Sequence, residues 1–96
     1  MQRSVANLPE AAERQRIDRW LWHARVVRTR GAAAALASSG FVRVNGARID
    51  APSRMVRSGD VITVALERTV RVLKVRGFAA RRGPASNVAS LYEDLA

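Results

Sequence analysis

From Arg16 onward the apolar positions fall into two rhythms. Ile17, Trp20, Leu21, Ala24 and Val27 recur at steps of three and four, which gathers them on one face and predicts a helix of about ten residues. Arg16, Arg19, Arg25 and Arg28 fall mostly off that stripe. Asp18 is placed to cap this helix, because its carboxylate can accept a bond from an unpaired backbone N–H one turn on. Thr29 has the same role for a second helix, which runs through the alanines and stops near Gly40, a residue suited to the positive φ of a helix end. Trp20 shares the stripe and is expected to anchor the core. Trp22 lies off its centre and is expected to pack beneath the C-terminal segment, partial exposure being the other outcome. His23 borders the stripe with no second ligand or nucleophile within a turn, so a surface or boundary position is expected.

The second rhythm is alternation. Phe41 and Arg43 alternate with Val42 and Val44, and Asn45-Gly46 supplies the positive-φ pair of a tight hairpin, which exposes Arg43 and Arg48 on adjacent strands. Pro52-Ser53 breaks the second strand, and Ser58-Gly59-Asp60 forms a turn, the role expected of Asp60. Val61 to Leu66 and Thr69 to Val75 are β-branched runs that predict a second hairpin on the same sheet. Gly77 to Pro84 is expected as a loop carrying Arg81 and Arg82. Helical spacing then returns at Val88, Leu91, Tyr92 and Leu95, predicting a last helix capped by Ser86, with Glu93 and Asp94 at its end. Residues 1–15 carry few bulky apolar groups and are expected to be a mobile leader. A domain over 16–76 follows, and then a C-terminal loop and helix, 77–96, packed on it.

Composition narrows the chemistry. At 96 residues the chain holds one small core. Lys and Arg outnumber Asp and Glu by 17 to 8, and all but Lys74 are arginine, which keeps its charge and grips phosphate with parallel donors. An anionic partner is the default expectation. Disulfides, thiolate metal sites and cysteine nucleophiles are excluded, because the sequence has no cysteine. With a single histidine it offers no ordinary zinc site, and no cofactor is expected. No apolar run nears the roughly 20 residues needed to span a bilayer, and the N-terminus lacks the apolar core of a secretory signal, so a soluble cytoplasmic protein is expected. Arg28 and Arg30 flank Thr29 at a helix start, where unpaired N–H groups and the helix dipole already favour an anion, and they are expected to hold phosphate.

The blocks RIDRWLWHAR (16–25), TRGAAA (29–34), GFVRVNG (40–46), PSRMV (52–56) and SGDVITV (58–64) resemble, in order and with short spacers, the S4 RNA-binding domain family. Within that family the chain is most similar to the small ribosome-associated heat-shock proteins of bacteria, because the likeness continues through RRGPASNVASLYEDL (81–95). The resemblance implies an α+β fold, with two N-terminal helices packed on a small, mostly antiparallel sheet, here followed by a C-terminal helix. It implies an RNA-binding surface of Arg16, Arg19, Arg25, Arg28, Thr29, Arg30, Arg43, Asn45 and Arg48, with Asp18, Trp20 and Leu21 in capping and core.

It also implies binding to ribosomal RNA of the large subunit and a part in recycling subunits that carry a stalled nascent chain still attached to tRNA. Relatives commonly continue into a further basic tail, whereas this sequence ends at Ala96. A monomer that is not an enzyme and has no small-molecule substrate is expected: the acidic residues are scattered, and neither a Ser/His/Asp set nor a phosphate loop is present. Two alternatives use the same arginines. One is an RNA-binding module appended to a modifying enzyme such as a pseudouridine synthase; the other is a basic module for acidic proteins or anionic membrane surfaces.

Overall fold

The computed structural model describes residues 14–95. Strand β1 (Arg14–Arg16) runs directly into helix α1 (Ile17–His23), and helix α2 (Arg30–Ser38) follows. Five strands follow: β2 (Val42–Val44), β3 (Ala47–Arg48), β4 (Met55–Arg57), β5 (Val61–Ala65) and β6 (Val70–Val75). A 3₁₀ helix (Ala85–Ser90) then leads into strand β7 (Tyr92–Asp94). β1 pairs with β4 in a two-stranded ribbon, and the remaining strands form an antiparallel sheet in the order β3-β2-β5-β6-β7. The α+β class and the antiparallel sheet are as expected. Most of the expected leader lies outside the described residues, but Arg14 and Gln15 are held in β1, opposite Arg57 and Val56.

The helical stripe is the centre of the core. Ile17, Trp20, Leu21 and Ala24 are buried against Val42, Val44, Ile62, Val64, Leu73 and Val75, the inward positions of the alternating strands. Ala33 and Ala37, four residues apart on α2, are also fully buried, and their small side chains leave room for the neighbouring elements to approach closely. Trp20 Nε1 donates to the Gly77 carbonyl at 3.1 Å, so even its polar atom is satisfied.

α1 is shorter than its apolar period predicts, because Arg25 adopts φ 62° and ends it. The N–H of Arg25 reaches the Trp22 carbonyl and that of Val26 reaches Leu21, closing the helix in the arrangement a glycine usually supplies. Val26 and Val27 therefore lie beyond the helix. α2 ends as expected: Gly40 takes φ 84°, and the N–H groups of Gly40 and Phe41 return to Ala37 and Leu36. The Arg48 guanidinium lies against Gly40, in the space a Cβ would enter, and as the end of a flexible exposed side chain it could move aside.

Asn45 and Gly46, at φ 52° and 84°, make the predicted hairpin turn. The Asn45 side chain also ties it to the next turn, donating to Asp60 Oδ1 at 3.0 Å and accepting from the Val61 N–H at 2.9 Å. Asp60 serves as a turn former, its Oδ2 accepting from the Arg57 N–H.

The C-terminal helix requires correction. Ser86 caps nothing; Pro84 precedes the 3₁₀ helix without a side-chain cap, and the chain then pairs with β6 through Leu73↔Asp94, Lys74↔Glu93 and Val75↔Tyr92. The free edge of β6 offers a row of backbone donors and acceptors that outweighs the local helical spacing. Arg71 fixes the choice by donating to the Tyr92 hydroxyl and Asp94 Oδ2, both at 3.2 Å. Between these elements, the 77–83 segment crosses the helices: Gln15 donates to Ala79, Arg25 to Gly83, and Arg82 to Trp22 and Val27 carbonyls. The Arg82 guanidinium stands 6.0 Å from the Trp22 ring centroid, so Trp22 is half-buried under this segment.

Candidate nucleic-acid interface

Asp18 is not an N-cap. Arg16 occupies that position, and the first free N–H groups of α1 are met by backbone: Ile17 donates to the Arg54 carbonyl at 2.7 Å and Asp18 to that of Pro52 at 3.2 Å. The carboxylate is thereby free for another task. It is 3% exposed, and it accepts from the Arg19 N–H at 2.7 Å and from Arg16 through both oxygens, at 3.1 and 2.9 Å. Arg30 Nε approaches the same carboxylate at 3.6 Å. One buried acid thus brings together two arginines from different elements, and both guanidinium groups remain partly exposed. The carboxylate is buried while the guanidinium groups reach solvent, so the pairs fix where the positive charge sits.

Thr29 caps α2 as predicted, its hydroxyl accepting from the Ala32 N–H at 3.0 Å. The N–H groups of Arg30 and Gly31 are in the first turn and have no intrahelical acceptor. Arg28 is exposed beside them and has no hydrogen bond or ion pair among the described residues. Arg19 is exposed on α1.

On the sheet, Arg43 and Arg48 lie directly opposite each other across β2 and β3, both exposed. Arg43 makes only a long 3.4 Å bond to the Gly46 carbonyl. Besides the capping Thr29, two of the nine expected residues are spent on loops and turns. Arg25 donates through two nitrogens to Gly83, and Asn45 spends both ends of its amide on the turns. Three further arginines join the surface without a local signal. Arg14 and Arg57 face each other across β1 and β4, and Arg54 is exposed beside them. The long-range pairing of β1 with β4 is what collects them, and only the alternation of RQR against RMVR hints at it.

His23 departs from expectation, being 2% exposed. Burial lowers its pKa below 6.5; a bond to the Ala79 backbone opposes this, and Arg19, Arg30 and Arg82 add to the lowering. Nδ1 has no hydrogen-bond partner among the described residues. The unfolded chain therefore binds this proton more readily than the folded one. The stability due to the neutral ring is fully present above pH 6.5 and is lost as pH falls from there through the lower folded value. Urea midpoints between pH 7 and 5 should fall in the wild type and flatten in His23→Gln. Equal slopes in the two proteins would assign the effect to other groups.

Among the described residues, no group of three or more His, Asp or Glu could hold a metal ion, and no helix is long and apolar enough to cross a membrane.

Two short helices on an antiparallel sheet, with arginines fixed at the helix starts and on the hairpin, define a small basic α+β binding domain. The chain belongs to the S4 domain family, whose pattern matches residues 15–62. It is 37% identical over 81 residues to heat shock protein 15 of Escherichia coli K12, a match that takes in 84% of this chain and 60% of that protein. It is 37% identical over 93 residues to the heat shock protein 15 homolog of Aeromonas salmonicida, covering 94% and 67% of the two chains. A solved trimeric structure of Vibrio cholerae heat shock protein 15 is similar with a TM-score of 0.80 and 32% identity, over 88% of this chain and 84% of that one. The chain thus spans about three-fifths of the length of the E. coli relative.

Proposed function

We propose that this chain binds ribosomal RNA of the large ribosomal subunit in the cytoplasm, contacts tRNA there, and helps return subunits with a stalled nascent chain to the translating pool. The observation that carries RNA binding is the pairing of like charges. Arg43 faces Arg48, and Arg14 faces Arg57, directly across two strand pairs. Like charges in that position are destabilising on their own. A polyanion laid along them turns repulsion into attraction, and the Arg28-Thr29-Arg30 corner adds a helix start with free N–H donors. The resemblance of the sequence to ribosome-associated heat-shock proteins, in keeping with the heat shock protein 15 relatives, supports the ribosome as the place of action. The nine residues expected from the sequence reduce, in this reading, to Arg16, Arg19, Arg28, Arg30, Arg43 and Arg48 as phosphate contacts. Thr29, Arg25 and Asn45 shape the surface.

Crosslinking in cells followed by sequencing of the bound RNA tests this. Reads should concentrate on large-subunit ribosomal RNA with some tRNA. A dominant signal from unrelated transcripts, or none, would reject it. The expected monomer differs from the trimeric Vibrio cholerae relative. Sedimentation equilibrium should return a mass near 10.5 kDa, and three times that value would assign the trimer to this chain as well.

A further inference from the structure

The face of the sheet turned away from the helices carries a row of apolar side chains beside a row that opens with two arginines. Phe41 accepts from the Ala65 N–H at 2.9 Å, and Ala65 pairs with Val70, so these residues cross three strands side by side. In the adjacent row Arg48 pairs with Arg43, Arg43 with Thr63, and Thr63 with Val72. Phe41 is 52% exposed and is the only exposed aromatic residue among those described. It directly follows Gly40, against which the Arg48 guanidinium rests.

We propose that this face binds one unpaired nucleotide of the RNA, its base stacked on Phe41 and its phosphate held by Arg43 and Arg48. A second copy of the chain fits the apolar row but not the charged one, because each copy has a net charge of +9 and would bring more arginines to it. A nucleotide matches both rows, with an apolar base face and an anionic phosphate one residue's breadth apart. Base stacking on an exposed aromatic is tolerant of sequence, so the preference would be for unpaired over paired RNA and not for a particular base. This rests on the RNA-binding reading and extends it from phosphate contacts to a single-stranded feature.

The test compares a fully paired RNA hairpin with the same hairpin carrying a one-nucleotide bulge of 2-aminopurine. Wild-type protein should prefer the bulged hairpin and quench its fluorescence. Phe41→Ala should weaken binding to the bulge by about tenfold. It should leave paired-hairpin affinity and its salt dependence unchanged, and Phe41→Trp should restore the preference. Circular dichroism should be unaltered, because the ring is exposed. Equal affinity of wild type and Phe41→Ala for the bulge would overturn the proposal while leaving phosphate binding standing. So would a Phe41→Ala defect confined to self-association in sedimentation. Failure of the wild type to bind either hairpin would remove the RNA reading and this proposal with it.

Discussion

Trp20→Ala is expected to lower the unfolding free energy by about 3–5 kcal/mol, the usual range for removing a large buried aromatic side chain. Trp20 is fully buried, and its ring meets Tyr92 edge-on at a centroid distance of 6.4 Å. Its Nε1 holds the Gly77 carbonyl, so the substitution empties a large volume and strands an acceptor where the C-terminal segment begins to cross α1. A small domain has only about 5–15 kcal/mol in total, so one substitution removes a large fraction of it. Urea denaturation measures the change directly. A variant within about 1 kcal/mol of wild type would show that the site collapses around alanine, and that the β5–β6 hairpin supports the core without the tryptophan.

Local sequence signals hold where one residue type has one physical reason to be present. Thr29 caps, Gly40 stops α2, and Asn45-Gly46 turns β2 into β3, because side-chain acceptors and positive φ select those residues. Local pattern fails where a distant strand decides the outcome. Val88, Leu91, Tyr92 and Leu95 have helical spacing, yet the edge of β6 draws Tyr92–Asp94 into the sheet. Asp18 is the residue type of a cap, but the 52–54 backbone satisfies the helix start and frees the carboxylate for Arg16 and Arg30. Arg25 ends α1 in a conformation for which arginine carries no signal.

The candidate site divides in the same way. Arginines at helix starts and on the hairpin are visible from local pattern. Arg14, Arg54 and Arg57 are not, because only the β1–β4 pairing places them together. Arg25 and Asn45 carry the right chemistry, but tertiary partners at Gly83 and Asp60 have first claim on them.

The largest effect on binding is expected from salt. If about six arginines neutralise phosphates, the logarithmic slope of affinity against salt should be near −5, and a fourfold rise in salt should cost roughly a thousandfold in affinity. Replacing Arg28 and Arg30 with Gln should make that slope shallower by about 0.9 for each phosphate no longer neutralised. The fold should survive, because neither side chain is in the core and Asp18 keeps Arg16 and the Arg19 N–H when Arg30 is removed. The two changes should not be equal. Arg30 lies 3.6 Å from a carboxylate that already offsets part of its charge, whereas Arg28 is exposed with no such partner among the described residues. Arg28→Gln alone should therefore account for the larger share of the weakening at moderate salt. Filter binding to a ribosomal RNA fragment across a salt series separates the cases. A double variant with wild-type affinity and slope would mean that the α2 start does not touch phosphate and that the hairpin and ribbon arginines hold the RNA without it.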